Sequence, residues 1–218
     1  MSQATENEKK VDTTLSSSSS KDESVAKKQR QPSLYVCHGG GPMPYLAKLR
    51  KTSYDDETNG FILKSLDWLG GYIDKYKPKA LLLISAHWEE SQLACIYQKS
   101  PSLFYDYYGF PKESYKLAYS PKCDLATTDA MVNILNAAIK GKAKELKFLK
   151  SEVKYDKSRG WDHGVFIPLI LARPNADIPI LQLSLLTSLN ATDHLELGKV
   201  SNFFFFLKKN TNKKKIYQ

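Results

Sequence analysis

Hydrophobic positions along the chain fall into short continuous runs separated by helical repeats. Leu34–Cys37, Ala80–Ser85, Leu93–Tyr97 and Ile178–Leu185 are apolar on mostly consecutive positions, the pattern of strands buried on both faces. Ile62, Leu66, Leu69 and Ile73 recur at helical spacing and stop before Pro78, which predicts a helix. Asp124 stands where a helix cap belongs, ahead of Met131, Ile134, Leu135 and Ala138 on one face. Gly164–Ala172 predicts a short buried helix, and Asp193–Gly198 the beginning of another. Strands alternating with helices predict an α/β fold: a single domain with a central, largely parallel or mixed sheet flanked by helices. In such sheets ligands gather beyond the carboxyl ends of the strands.

Both ends of the chain break this pattern. Residues 1–32 are rich in Ser, Lys and Glu, with Ser16–Ser20 unbroken. They offer too little apolar surface to offset chain entropy and are predicted to be disordered. Order is expected over 33–199. From Val200 the helical pattern begun at Asp193 is lost, and residues 200–218 read as a basic low-complexity tail that leaves the fold incomplete at its C-terminus.

Charge changes the picture little. The net charge is +9, but Lys208, Lys209, Lys213, Lys214 and Lys215 lie in a tail without acids. Residues 33–199 carry no basic stripe, so no nucleic-acid partner is expected. Cys37, Cys95 and Cys123 match neither a zinc ribbon nor a CxxC redox pair. The polar start shows no secretory signal, and Phe203–Leu207 is far short of the ~20 apolar residues that span a bilayer. A cytoplasmic protein without a membrane partner is expected.

The chain has four histidines. His38 follows a predicted strand and precedes three glycines and Pro42, a turn in which backbone can approach a ligand closely. The string lacks the Lys-Ser/Thr ending of a phosphate loop. His87 follows the most apolar strand and precedes Trp88. Each taken alone is as readily a turn or core residue, but two histidines at strand ends point to a metal, for which neutral imidazole is a common ligand. His163, beside Asp162 at a loop-to-helix junction, suits a ligand or a general acid/base. Asp162 suits a cap or an orienting group. His194, on a predicted helix, suits packing. Tyr105–Pro111 is dense in aromatics, and Tyr105, Tyr108 and Phe110 are candidates to line a pocket for a flat substrate.

Five segments also resemble one family in order: CHGGGP at 37–42, ISAHW at 84–88, YDYYGFP at 105–111 with YKLAY at 115–119, RGWDHGVFIPL at 159–169, and ADIPILQLSL at 176–185. Together they are similar to the class III extradiol ring-cleaving dioxygenases, in the DOPA 4,5-dioxygenase-like branch. The resemblance implies an enzyme that binds a catechol and O2 at one Fe(II) or Zn(II) ion per chain and opens the ring beside its hydroxyls. It places His38 and His87 on the metal and His163 as the acid/base; Tyr105, Tyr108, Phe110 and Asp162 are the candidates to meet the substrate. It also implies a further ligand beyond residue 199, where this chain has no His, Asp, Glu or Cys from 200 on. Asp106 and Asp162 are the acids that could substitute. A chain so shortened would bind metal weakly and turn over poorly. A zinc-dependent hydrolase is the remaining alternative.

Overall fold

The computed structural model describes residues 33–49, 57–141 and 146–207. The expectations for residues 1–32 and for 208–218 lie outside them.

A mixed sheet of four strands forms the centre, in the order β1-β4-β2-β3. The strands are β1 (Leu81–Glu90), β2 (Ala94–Ile96), β3 (Lys154–Asp156) and β4 (Ile180–Leu186). β1 runs parallel to β4 and β2 parallel to β3, while β2 meets β4 antiparallel through Cys95 and Leu183. The strands alternate their apolar side chains between two clusters, as a period of two requires. Ala94, Ile96 and Ile180 pack with α1 (Met43–Leu49), α2 (Glu57–Tyr76) and α4 (His163–Ala172). Leu93, Cys95, Leu181 and Leu183 pack with α3 (Leu125–Lys140) and α5 (Ala191–Leu207).

Most of this follows the pattern read from the chain. Asp124 caps α3, its carboxylate accepting from the backbone of Thr127 at 3.1 Å. Met131 and Leu135 lie on the buried face of that helix. α4 is apolar all round, and eight of its residues are buried, as fits a helix laid against the sheet.

Three expectations are corrected. Leu34–Cys37 is not a strand: Leu34, Tyr35 and Val36 are exposed, and the run pairs with none of the four strands. Strand preference reflects packing against a neighbouring strand and burial of one face, and this run has neither. His87 lies within β1 rather than past its end. The loss of helical pattern at Val200 does not end the last helix: α5 runs from Ala191 to Leu207. α1 and the three-residue β3 carry too short a pattern to be read in advance.

His194, expected in a packing role, ties α5 to the sheet. Its Nε2 accepts from the backbone of Leu186 at 3.1 Å, and its Nδ1 donates to the Asn190 carbonyl at 2.8 Å. Among the described residues no helix is long and apolar enough to cross a membrane.

Candidate metal centre

The site forms where the β1–β4 ladder fails. Ile84 pairs with Leu183 and Glu89 with Leu185, so Ser85, Ala86, His87 and Trp88 stand opposite Ser184 alone. A bulge of this kind bends the strand and re-aims its side chains. His87 is thereby turned out toward the start of α4 and the turn that carries His38.

That turn is shaped by its glycines. Gly39 and Gly41 have φ of +75° and +52°, and a Cβ on Gly41 would lie 2.9 Å from the Phe110 ring. A side chain there would meet both backbone strain and the aromatic ring. Gly164 performs a similar task from the other side. Its missing Cβ would fall 2.6 Å from Ser85 Oγ and 2.9 Å from His87 Cδ2, so the first turn of α4 lies directly on the bulge.

The segments thus bring together three imidazoles. His38 Nε2 and His87 Nε2 are 3.0 Å apart. The His163 ring centroid lies 4.0 Å from that of His87 and 4.9 Å from that of His38. One nitrogen of each ring falls within 4.8 Å of the other two. A 3.0 Å separation is one that two bonds of about 2.1 Å to a single ion produce. Burial of His38, with His163 and His87 beside it, lowers its pKa below the ordinary 6.5, which favours the neutral form that a metal needs. The donor set therefore fits a divalent ion that takes nitrogen ligands and keeps positions open. Among the described residues the buried His38 Nδ1 has no hydrogen-bond partner.

His163 differs from the other two in having a fixed partner. Its Nδ1 lies 2.7 Å from Asp106 Oδ1, which also accepts from the His163 backbone N–H at 2.9 Å. A carboxylate only accepts, so the ring proton sits on Nδ1 and the lone pair on Nε2. Burial of Asp106 works against its charge, but the bonds from His163 outweigh it and hold its pKa below 3.8. Asp106 Oδ2 also faces His87 Nδ1 at 4.0 Å.

The remaining candidates are distributed unevenly. Phe110 packs on the Gly41 turn. Tyr105 donates its hydroxyl to the Leu117 carbonyl at 2.6 Å, which pins the loop, and its ring meets Phe166 edge-on. Tyr108 is 91% exposed. Asp162, expected at the substrate, is fully buried, with its carboxylate turned inward onto Ser85 at 2.6 Å and Gln182 at 2.8 Å. It occupies the N-cap position of α4 without capping it; Asp106 accepts the His163 N–H instead. Tyr107, not singled out from the chain, lies 5.7 Å from the His163 ring and 5.5 Å from Phe110. Its place in an aromatic run was the available signal. Ser85 and Gln182 do not stand out in the sequence either, although each is a polar residue in or at the end of an apolar run.

The loop and the histidine segment are stitched together. Trp161 donates its backbone N–H to Ser102 at 2.8 Å, and Phe104 donates back to Trp161 at 2.7 Å. A Cβ on Gly160 would lie 2.4 Å from the Ser102 oxygen.

Comparison with known proteins gives a consistent picture. The family model described as the catalytic LigB subunit of aromatic ring-opening dioxygenase matches residues 35–203. Dioxygenase tasH of Hapsidospora irregularis is 38% identical over 168 residues, which cover 77% of this chain and 48% of that protein. A 4,5-DOPA dioxygenase extradiol of Beta vulgaris is 39% identical over 123 residues, 56% of this chain and 42% of that one. A 4,5-DOPA dioxygenase extradiol-like protein of Schizosaccharomyces pombe is 30% identical over 184 residues, 82% of this chain and 57% of that one. The chain spans about half the length of these curated relatives.

Proposed function

The chain belongs to the family of the catalytic LigB subunit of aromatic ring-opening dioxygenase, and from that premise we propose that it is a metal-dependent extradiol dioxygenase that opens a catechol ring with O2. The observation that carries the proposal is the convergence of His38, His87 and His163 at one break in the sheet. In this reading His38 and His87 hold one Fe(II) or Zn(II) ion. When bound, the ion supplies Lewis acidity and open positions for the two hydroxyl oxygens and O2.

His163 is the acid/base. With its Nδ1 proton held by Asp106, its Nε2 is free to take a proton from a catechol hydroxyl and to return it later. Tyr107 forms a wall beside it rather than a second base. Its hydroxyl donates to the Ser114 carbonyl, and burial raises its pKa, so it stays neutral. Phe110 and Tyr107 present ring faces and edges that suit a flat aromatic substrate. The branch resemblance makes a DOPA-like catechol the first substrate to try.

The test is oxygen uptake by the chain after anaerobic loading with Fe(II). L-DOPA and other vicinal diols are compared with resorcinol and hydroquinone, whose hydroxyls are not adjacent. Uptake confined to the vicinal diols, with a coloured ring-opened product, is expected. A chain that holds one ion and consumes no oxygen with any vicinal diol overturns the proposal.

A further inference from the structure

The bulge that exposes His87 also removes its ladder partners, since Ser85–Trp88 face Ser184 alone. Unpaired backbone groups in a half-buried strand need other partners. The His87 N–H donates to Ser85 Oγ at 3.2 Å, and its carbonyl accepts from Arg159 Nη2 at 3.1 Å. Both of these side chains end on the same carboxylate. Ser85 Oγ donates to Asp162 Oδ1 at 2.6 Å, the length of a charge-assisted O–H···O bond, and Arg159 Nη2 reaches Asp162 Oδ2 at 3.4 Å.

The carboxylate is itself fixed from the neighbouring strand. Gln182 of β4 donates to Asp162 Oδ2 at 2.8 Å, and both residues are fully buried. The Arg159 guanidinium is held between two rings, 4.9 Å from Trp88 and 5.2 Å from Phe104. A charge placed this deep is costly unless it is held by several partners, and an apolar side chain would fill the same space at lower cost. Packing alone does not account for it. What the carboxylate does that an apolar group cannot is hold, through two intermediaries, both backbone groups of one histidine.

We propose that Asp162 is a positioning residue for His87: through Ser85 and Arg159 it sets the orientation of the His87 backbone, and so aims the imidazole at the metal position. This rests on the reading of His87 as a metal ligand. Asp162 touches neither metal nor substrate. Its own neighbour, His163, is aimed by a different acid, Asp106, whose second oxygen also faces the His87 ring at 4.0 Å.

The test uses the full chain and Co(II) alone, whose visible bands report ligand geometry. Wild type is compared with Asp162→Asn, Ser85→Ala, His87→Ala and Asp129→Asn. The last is a structural control: its carboxylate accepts from Tyr97 and Tyr155, each at 2.8 Å. Asp162→Asn and Ser85→Ala are expected to weaken Co(II) binding by about 10–100-fold and to shift its bands, as loss of an outer partner typically does. Asp129→Asn is expected to lower the melting temperature and leave the bands unchanged. If Asp162→Asn does not fold, Ser85→Ala decides, since it removes one hydroxyl and breaks the same relay. A folded Asp162→Asn, or Ser85→Ala where Asp162→Asn does not fold, that keeps wild-type affinity and bands while His87→Ala loses Co(II) overturns the positioning role. Wild-type binding by His87→Ala overturns the ligand reading on which that role rests.

Discussion

Asp106 holds His163 twice through one oxygen: Oδ1 accepts from the ring Nδ1 at 2.7 Å and from the backbone N–H at 2.9 Å. The residue that opens helix α4 and the ring that faces the site are thus fixed together. Asp106→Asn keeps an acceptor for the backbone but loses the charge that favours a protonated Nδ1. Turnover is expected to fall by about 10²-fold, with metal content kept and the pH profile displaced. His163→Ala is expected to lower turnover by about 10²–10⁴-fold. Metal analysis on the same samples checks the roles: loss of the ion in His163→Ala makes His163 a ligand instead of the acid/base.

Gly164→Ala tests the contact between α4 and the bulge. The added methyl would lie 2.6 Å from Ser85 Oγ and 2.9 Å from His87 Cδ2. Overpacking of this kind costs about 1–3 kcal/mol. A lower urea midpoint and weaker metal binding are expected together. A variant that is destabilised yet binds metal as wild type does would show that His87 is not displaced by the shift.

The pH dependence follows from His38. Its pKa in the folded chain is below 6.5, chiefly through burial. As pH falls through the ordinary value of 6.5 the unfolded chain takes up a proton that the folded chain resists, so stability is full above it and declines below it. Metal binding shares the direction, because the ligand form is neutral. Urea midpoints of the metal-free chain from about pH 8 to about pH 5 are expected to fall more steeply in wild type than in His38→Asn. Equal slopes would show that His38 contributes no such linkage.

How far the sequence leads depends on which interactions are local. β1, β4, α2 and α3 were legible because their apolar residues repeat within the element, and Asp124 announces its helix from the same turn in which it acts. His38, His87 and His163 could be picked out because each sits beside glycines or at the end of an apolar run. What joins them could not. The break between Ile84 and Glu89 is a mismatch of register between two strands nearly a hundred residues apart in the chain. Leu34–Cys37 reads as a strand because nothing within it says whether a neighbouring strand will receive it. Asp162 reads as a cap or a substrate contact because its neighbours along the chain suggest it. Ser85 and Gln182, which hold its carboxylate, come from two separate strands.

The central claim is that the three imidazoles form one metal centre, with His38 and His87 as ligands. It is tested most directly by measuring the ion content of the full chain, dialysed separately against Fe(II) without oxygen and against Zn(II), beside His38→Ala and His87→Ala. One ion per chain in the wild type is expected, lost or weakened by at least about 100-fold in each variant. Variants that retain the wild-type stoichiometry and affinity, or a wild type that retains no ion, would contradict it.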